Sequence, residues 1–189
     1  MIGTNVAATN PRISRAVLAV GGGTLVDVFT NAPAFTAEVD ALFLLLGIDR
    51  SLIPTVPAVA AAYLKTVNVA KWILDPADPI NFAAKVETKL PSPIAAGLGP
   101  LASSTTAALG QISTGDTVVP NPYNNLLYTL AGIDIVTYVN TGDPDGIVPH
   151  GVIGDTDFTG APALGDQVRG QAADFLADLL IPPASVNLP

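Results

Sequence analysis

Two kinds of apolar run alternate along the chain. Short runs rich in β-branched residues occur at 12–20 (RISRAVLAV), 108–114 (ALGQIST) and 133–139 (IDIVTYV). Dense apolar runs of this length predict strands buried on both faces of a sheet. Between them the apolar residues fall at helical spacing. In 32–47, Phe35, Val39, Leu42, Phe43 and Leu46 share that period, Thr36 is a cap and Gly47 a stop. The run 55–74 is a second helix, with Pro57 in its first turn. A short amphipathic helix is expected over 122–132, ended by Gly132. A last helix over 164–180 carries Val168, Ala172, Phe175, Leu176 and Leu179 on one face.

The segments between these runs are punctuated by turn residues. GTNVAATN (3–10) has the form of a helix end, with Asn10 as C-cap and Pro11 preventing continuation. GGG (21–23) is a loop. The stretch 75–88 begins as turns and leads into a short helix, which Asp75 and Asp78 are placed to cap. The stretch 140–160 is a long loop dense in Gly, Asp and Pro. The order strand, helices, strand, helix, strand, loop, helix predicts an α/β fold, with a mostly parallel sheet and helices on both faces. No repeat and no linker divides the 189 residues, so a single domain, 1–189, is expected.

Composition narrows the function classes. Mean hydropathy is +0.48, high for a globular chain, yet the apolar run from Ser51 to Leu64 is broken by Lys65. It falls short of the ~18–20 residues of a membrane span, so no transmembrane segment is expected. Net charge is −8 and the eight basic residues are scattered, which leaves no basic stripe for nucleic acid. Cysteine is absent, which excludes disulfides, thiol catalysis and thiolate metal sites. Met1 is followed by IGTNVAATNP, with neither a basic nor a long apolar leader region, so no signal peptide is expected in this chain.

Two residues stand where parallel α/β proteins place their chemistry, in loops at the carboxyl ends of strands. Asp116 follows the strand 108–114, and His150, the sole histidine, follows the strand 133–139. Consecutive strands tend to lie side by side, which brings the two loops together. A carboxylate on an imidazole fixes its tautomer and stabilises the imidazolium that forms during proton transfer. Each residue alone also reads as an ordinary loop residue, since TGD is a common turn. The glycines at 21–23 lack dinucleotide-loop spacing, so no nucleotide cofactor is expected. Asp143, Asp145, Asp155 and Asp157 flank His150; a calcium ion and plain turn geometry both account for them. The apolar segment 32–74, with Phe43, Leu44 and Trp72 among its large residues, suits a lid or acyl pocket; core helices have the same composition.

A base and its orienter require a nucleophile. None of the serines, at 14, 51, 92, 103, 104, 113 and 185, sits in a G-x-S-x-G strand-to-helix turn. Ser104 and Ser113, next to the strand that leads to Asp116, are the candidates within the chain.

The segments SRAVLAVGGG (14–23), WILDPADPINFA (72–83), GDTVVPNPYNNLL (115–127) and VPHGVIGD (148–155) together resemble, in order, the C-terminal half of bacterial extracellular lipases of the virulence-factor lipase group, in the α/β-hydrolase superfamily. The resemblance implies a partial α/β-hydrolase fold with a helical cap insertion over 32–74. It implies Asp116 as triad acid, His150 as triad base, an acyl ester or lipid substrate, no cofactor, and an extracellular or cell-surface location. The half that carries G-x-S-x-G in these lipases has no counterpart here. The serine is then non-standard or comes from another chain, and a homo-oligomer or a complementing chain is expected to cover the uncovered half sheet. A catalytically inactive binding or assembly module of hydrolase descent is the alternative.

Overall fold

The computed structural model describes residues 2–91, 97–98, 103–140, 145–154 and 162–177. The chain is an α/β protein, with a three-stranded parallel sheet in the order β1-β2-β3, formed by Arg15–Ala19 (β1), Ala107–Ser113 (β2) and Asp134–Tyr138 (β3). Six helices accompany it among the described residues: Ile2–Thr9 (α1), Leu25–Asn31 (α2), Thr36–Leu45 (α3), Pro57–Leu74 (α4), Asn121–Ala131 (α5) and Pro162–Leu176 (α6).

Alternation along β2 sorts the helices to the two faces. Ala108 and Ile112 pack with Leu127, Tyr128 and Ala131 of α5 and with Ala7 of α1. Leu109 faces the other way, with Val136 and Tyr138, against Leu164, Val168 and Phe175 of α6. Gly110 is a packing requirement: a Cβ there meets the Tyr128 ring at 2.7 Å. The Tyr128 hydroxyl donates to the Leu18 carbonyl and accepts from Gly21 N–H at 2.7 Å, so one buried side chain ties α5 to the exit of β1.

The first strand is shorter than the 12–20 expected, because Asn10 folds residues 10–13 into a turn. Its side chain accepts from Arg12 N–H at 2.9 Å and its carbonyl from Ile13 N–H at 3.2 Å. The helix expected over 32–47 begins as a 3₁₀ turn, Pro33–Phe35, and continues as α3. Residues 75–88 form 3₁₀ turns, Asp75–Ala77, Pro79–Asn81 and Ala83–Lys85, where a short helix was expected; Pro76 and Pro79 deny the backbone two donors. Helices α2, α3 and α4 form a second small core around Val26, Phe43, Ile48 and Val67, fastened by the Lys71–Asp27 ion pair at 2.7 Å.

α2 has no sequence signature, and its start explains why. Thr24, at φ 55, offers no side-chain cap. The cap comes from Asp78, whose Oδ1 accepts from Thr24 N–H at 2.9 Å and Oδ2 from Leu25 N–H at 2.7 Å. Asp78 also caps its own 3₁₀ turn, accepting from Ile80 N–H at 3.0 Å. The carboxylate expected to cap only the following segment therefore also caps a helix more than fifty residues earlier. Asp78→Ala strands three N–H groups in a largely buried setting and is expected to lower stability by about 2–4 kcal/mol in urea unfolding, with Asp78→Asn losing less.

Candidate active site

The exits of β2 and β3 meet at the carboxyl end of the sheet. Gly115, at φ 71, turns the chain out of β2, and the Asn121 side chain fastens the turn by donating to Ser113 O at 2.7 Å and accepting from Gly115 N–H at 2.9 Å. Asn124 extends the clamp, donating to Gly21 O at 2.6 Å. The His150 loop is fixed just as locally. Val148 N–H donates to Thr114 O at 2.8 Å, and the Ser113 hydroxyl donates to Pro149 O at 3.3 Å.

The two loops place His150 Nδ1 2.7 Å from Asp116 Oδ2. The Asp116 side chain is fully buried, while that of His150 is 33% exposed. Asp116 Oδ1 accepts from Val118 N–H at 2.8 Å and Val119 N–H at 3.0 Å. Asp116 is therefore a turn aspartate through one oxygen and a histidine partner through the other. With Nδ1 engaged as donor to the carboxylate, Nε2 is the nitrogen left for a reacting group.

His150 lines an apolar cleft of about 240 Å³ with Ala19, Val20, Val28, Phe29, Phe35, Val118 and Val119. Val20 has φ 44, a left-handed backbone that β-branched residues seldom adopt, and it is held there by its N–H bond to Gln111 O at 2.8 Å. His150, Ala19 and Val20 also border a second, small pocket together with Gln111, Ser113 and Tyr138. Gln111 Nε2 donates to the Tyr138 hydroxyl at 2.9 Å and to Val168 O at 3.1 Å, which fixes its side chain in that pocket.

The remaining sequence candidates fall elsewhere. Ser104 is exposed and precedes β2, at the opposite end of the sheet; a seven-residue strand separates the two ends by roughly 20 Å, so it does not reach His150. Ser113 borders the His150 pocket but is 1% exposed, and its hydroxyl is committed to Pro149 O, so it anchors the loop. Phe43 is 5% exposed and packs against Tyr63, inside the core of the helical hairpin. Leu44 and Trp72 are exposed on that hairpin and do not border the cleft. The cleft takes its wall from α2 and the turn after it, through Val28, Phe29 and Phe35. Phe35 belongs to the 32–47 run expected to be helical, whereas Val28 and Phe29 were missed because α2 carries no local signature. Of the acids flanking His150, Asp143, Asp155 and Asp157 lie outside the described residues; no group of three metal-binding side chains gathers among the residues described.

The arrangement is a buried carboxylate paired with a partly exposed imidazole, which borders an apolar cleft. Comparison with protein-family models, with curated proteins and with solved structures finds no match to this chain.

Burial raises the Tyr138 phenol to about 12, and it raises Tyr128 in the same direction. Unfolded tyrosines ionise near pH 10. Above about pH 10 the unfolded chain has released protons that the folded chain keeps, so stability is full below that pH and falls as pH rises toward 12. Urea midpoints are expected to drop between about pH 10 and pH 12, and Tyr138→Phe to flatten the slope.

Proposed function

We propose that this chain is the acid–base part of a carboxylic ester hydrolase, with the apolar acyl group of its substrate in the cleft beside His150. The observation that carries the reading is the pairing of a fully buried carboxylate with a partly exposed imidazole at 2.7 Å. In this reading His150 Nε2 takes the proton of an attacking hydroxyl while Asp116 holds the tautomer and stabilises the imidazolium. The imidazolium then returns the proton to the departing alkoxide. Val28, Phe29 and Phe35 supply the apolar wall, and no cofactor takes part.

The attacking serine, in the same proposal, comes from a segment paired on the open edge of β1. The Ser14 carbonyl accepts from Ala107 N–H at 2.9 Å and Val20 N–H donates to Gln111 O at 2.8 Å, so alternate residues of β1 face β2. The backbone groups of Val17 and Ala19 point away from it, toward an edge that no described strand covers. A strand there ends beside Ala19 and Val20, which border the cleft together with His150. The acid after β2, the base after β3 and the helical segment inserted after β1 agree with half of an α/β-hydrolase arrangement, and the extracellular or cell-surface location belongs to the same resemblance.

A second reading, a binding or assembly module without catalysis, is favoured by one observation: neither Ser104 nor Ser113 presents a free hydroxyl to His150. Hydrolysis of p-nitrophenyl butyrate and labelling by a fluorophosphonate separate the two. The hydrolase reading expects turnover that His150→Ala abolishes, and that Asp116→Asn lowers on the order of 10³–10⁴-fold through the wrong tautomer. Ser113→Ala is expected to keep most of the activity. Turnover that survives His150→Ala overturns the acid–base assignment, and absence of both turnover and labelling favours the binding module.

A further inference from the structure

The buried amide of Gln111 has one oxygen that the fold leaves unmet. Gln111 is 2% exposed and reaches from β2 to α6. Its Nε2 donates to the Tyr138 hydroxyl at 2.9 Å, to Val168 O at 3.1 Å and to Gln171 Oε1 at 3.2 Å. Its Oε1 is buried and has no hydrogen-bond partner among the described residues. Exchanging the two ends of the amide does not help. A backbone carbonyl only accepts, so the atom that faces Val168 O is the nitrogen. An acceptor left unmet in such a setting costs on the order of 1–3 kcal/mol. Gln111 also borders the small pocket that His150 borders. We propose that Gln111 Oε1 and His150 Nε2 together hold one water in this pocket, and that this water hydrolyses the acyl intermediate of the ester reading, on which its role rests.

Size and polarity select water. The space open to the centre of a bound molecule there is about 10 Å³, enough for one water and for nothing larger. Much of the border is apolar, including Ala19, Val152 and Ile153, so the few polar atoms decide what fits. The Ser113 and Tyr138 hydroxyls already donate elsewhere, to Pro149 O and to Gln171 Oε1. With Nδ1 donating to Asp116 Oδ2, the neutral imidazole has Nε2 as an acceptor. Gln111 Oε1 is the second acceptor. A water brings one hydrogen to each, whereas a methyl or a carbonyl group brings none.

In the hydrolytic step one water hydrogen passes to His150 Nε2 while the water oxygen bonds to the acyl carbonyl carbon. The other hydrogen stays on Gln111 Oε1. The tetrahedral adduct then collapses, the bond from that carbon to the serine oxygen breaks, and the serine oxygen takes the proton from Nε2. The carboxylic acid leaves, and no further reactant is needed. Gln111 takes no proton; it is a positioning residue. Its Nε2 bonds to Tyr138 and Val168 keep the amide from turning, so Oε1 is already in place when the acyl group arrives. Acylation consumes the serine hydroxyl and no water, so Gln111 bears on the second half of the reaction alone.

A high-resolution crystal structure of the wild type tests the site, and pre-steady-state kinetics with p-nitrophenyl butyrate test the role. One ordered water is expected within hydrogen-bond reach of both Gln111 Oε1 and His150 Nε2. Gln111→Met keeps the volume and removes the acceptor. It is expected to keep fluorophosphonate labelling and the p-nitrophenol burst, and to slow turnover after the burst about tenfold or more. Methanol is too large for the pocket, so with methanol added the share of methyl butyrate among the products is expected to rise in this variant. The wild-type structure decides the site even where the variant folds poorly. A dry pocket, or a water on Gln111 alone, overturns the site. Equal slowing of burst and turnover, or slowing of neither, overturns the role. A wild type that holds the water yet neither turns over nor labels overturns the ester reading, and the role with it, and leaves the site standing; labelling over a dry pocket does the reverse.

Discussion

The burial of Asp116 is the constraint on which the site depends. A carboxylate removed from water is stable only when its oxygens are met by donors, and each missing donor costs on the order of 1–3 kcal/mol. Val118 and Val119 N–H satisfy one oxygen, and His150 satisfies the other. The first pair requires the tight turn that Gly115 and Asn121 build. The second requires the β3 exit loop to return across β2, where Val148 and Pro149 bond to Thr114 and Ser113. One desolvated charge thus sets the conformation of both loops, and the histidine is placed by the same bond that completes the carboxylate.

The same economy governs the helix ends. The amino end of α2 is capped by Asp78 and the carboxyl end of α1 by Lys89, whose ammonium donates to Ala7 O at 3.1 Å and Asn10 O at 2.7 Å. Lys89 is buried, desolvation lowers its pKa, and it sits in a left-handed backbone at φ 56. Both caps lie within 75–89, the segment of successive 3₁₀ turns. That segment packs on α1 and α5 as a strap, contributing Ala83 and Val86 to the core and two charges to the helix ends. Such charges favour the helix dipole as well as the terminal hydrogen bonds.

These long-range caps also mark the limit of what the sequence discloses. Strands and helices whose signals are local were legible: Gly132 at φ 71 ends α5 as expected, and β2 and β3 lie within a residue or so of their apolar runs. The Asp116–His150 pairing was legible because it follows from strand order alone. α2 was not, since its cap stands at the far side of the hairpin, and the cleft wall it carries was hidden with it. Phe43, Leu44 and Trp72 lie away from the His150 cleft for a related reason: apolar periodicity locates helices but does not say whether a side chain faces a core, a cleft or the outside. The asparagine clamp, Asn121 and Asn124, was present in the quoted motif, yet its function depends on Gly21 and Ser113, which are distant in sequence.

The dyad and the strained exit of β1 bear differently on catalysis. Asp116 would be kept for the turn it builds even in a chain without activity, so its presence discriminates little. Val20 is more informative. A β-branched residue at φ 44 costs on the order of 1–3 kcal/mol, and it persists only where the surroundings over-determine it. Here the surroundings are the Gln111 carbonyl on one side and the Gly21–Tyr128 bond on the other. Their combined effect is to set Val20 at the edge of the cleft beside His150 and to carry the next three glycines across α5, where a Cβ on Gly22 meets Val119 at 2.5 Å. The strain stands at the mouth of the cleft, next to an imidazole whose Nε2 has no hydrogen-bond partner among the described residues. His150 itself has a structural use through Nδ1, which completes the hydrogen bonding of the buried Asp116 carboxylate, and that bond leaves Nε2 uncommitted.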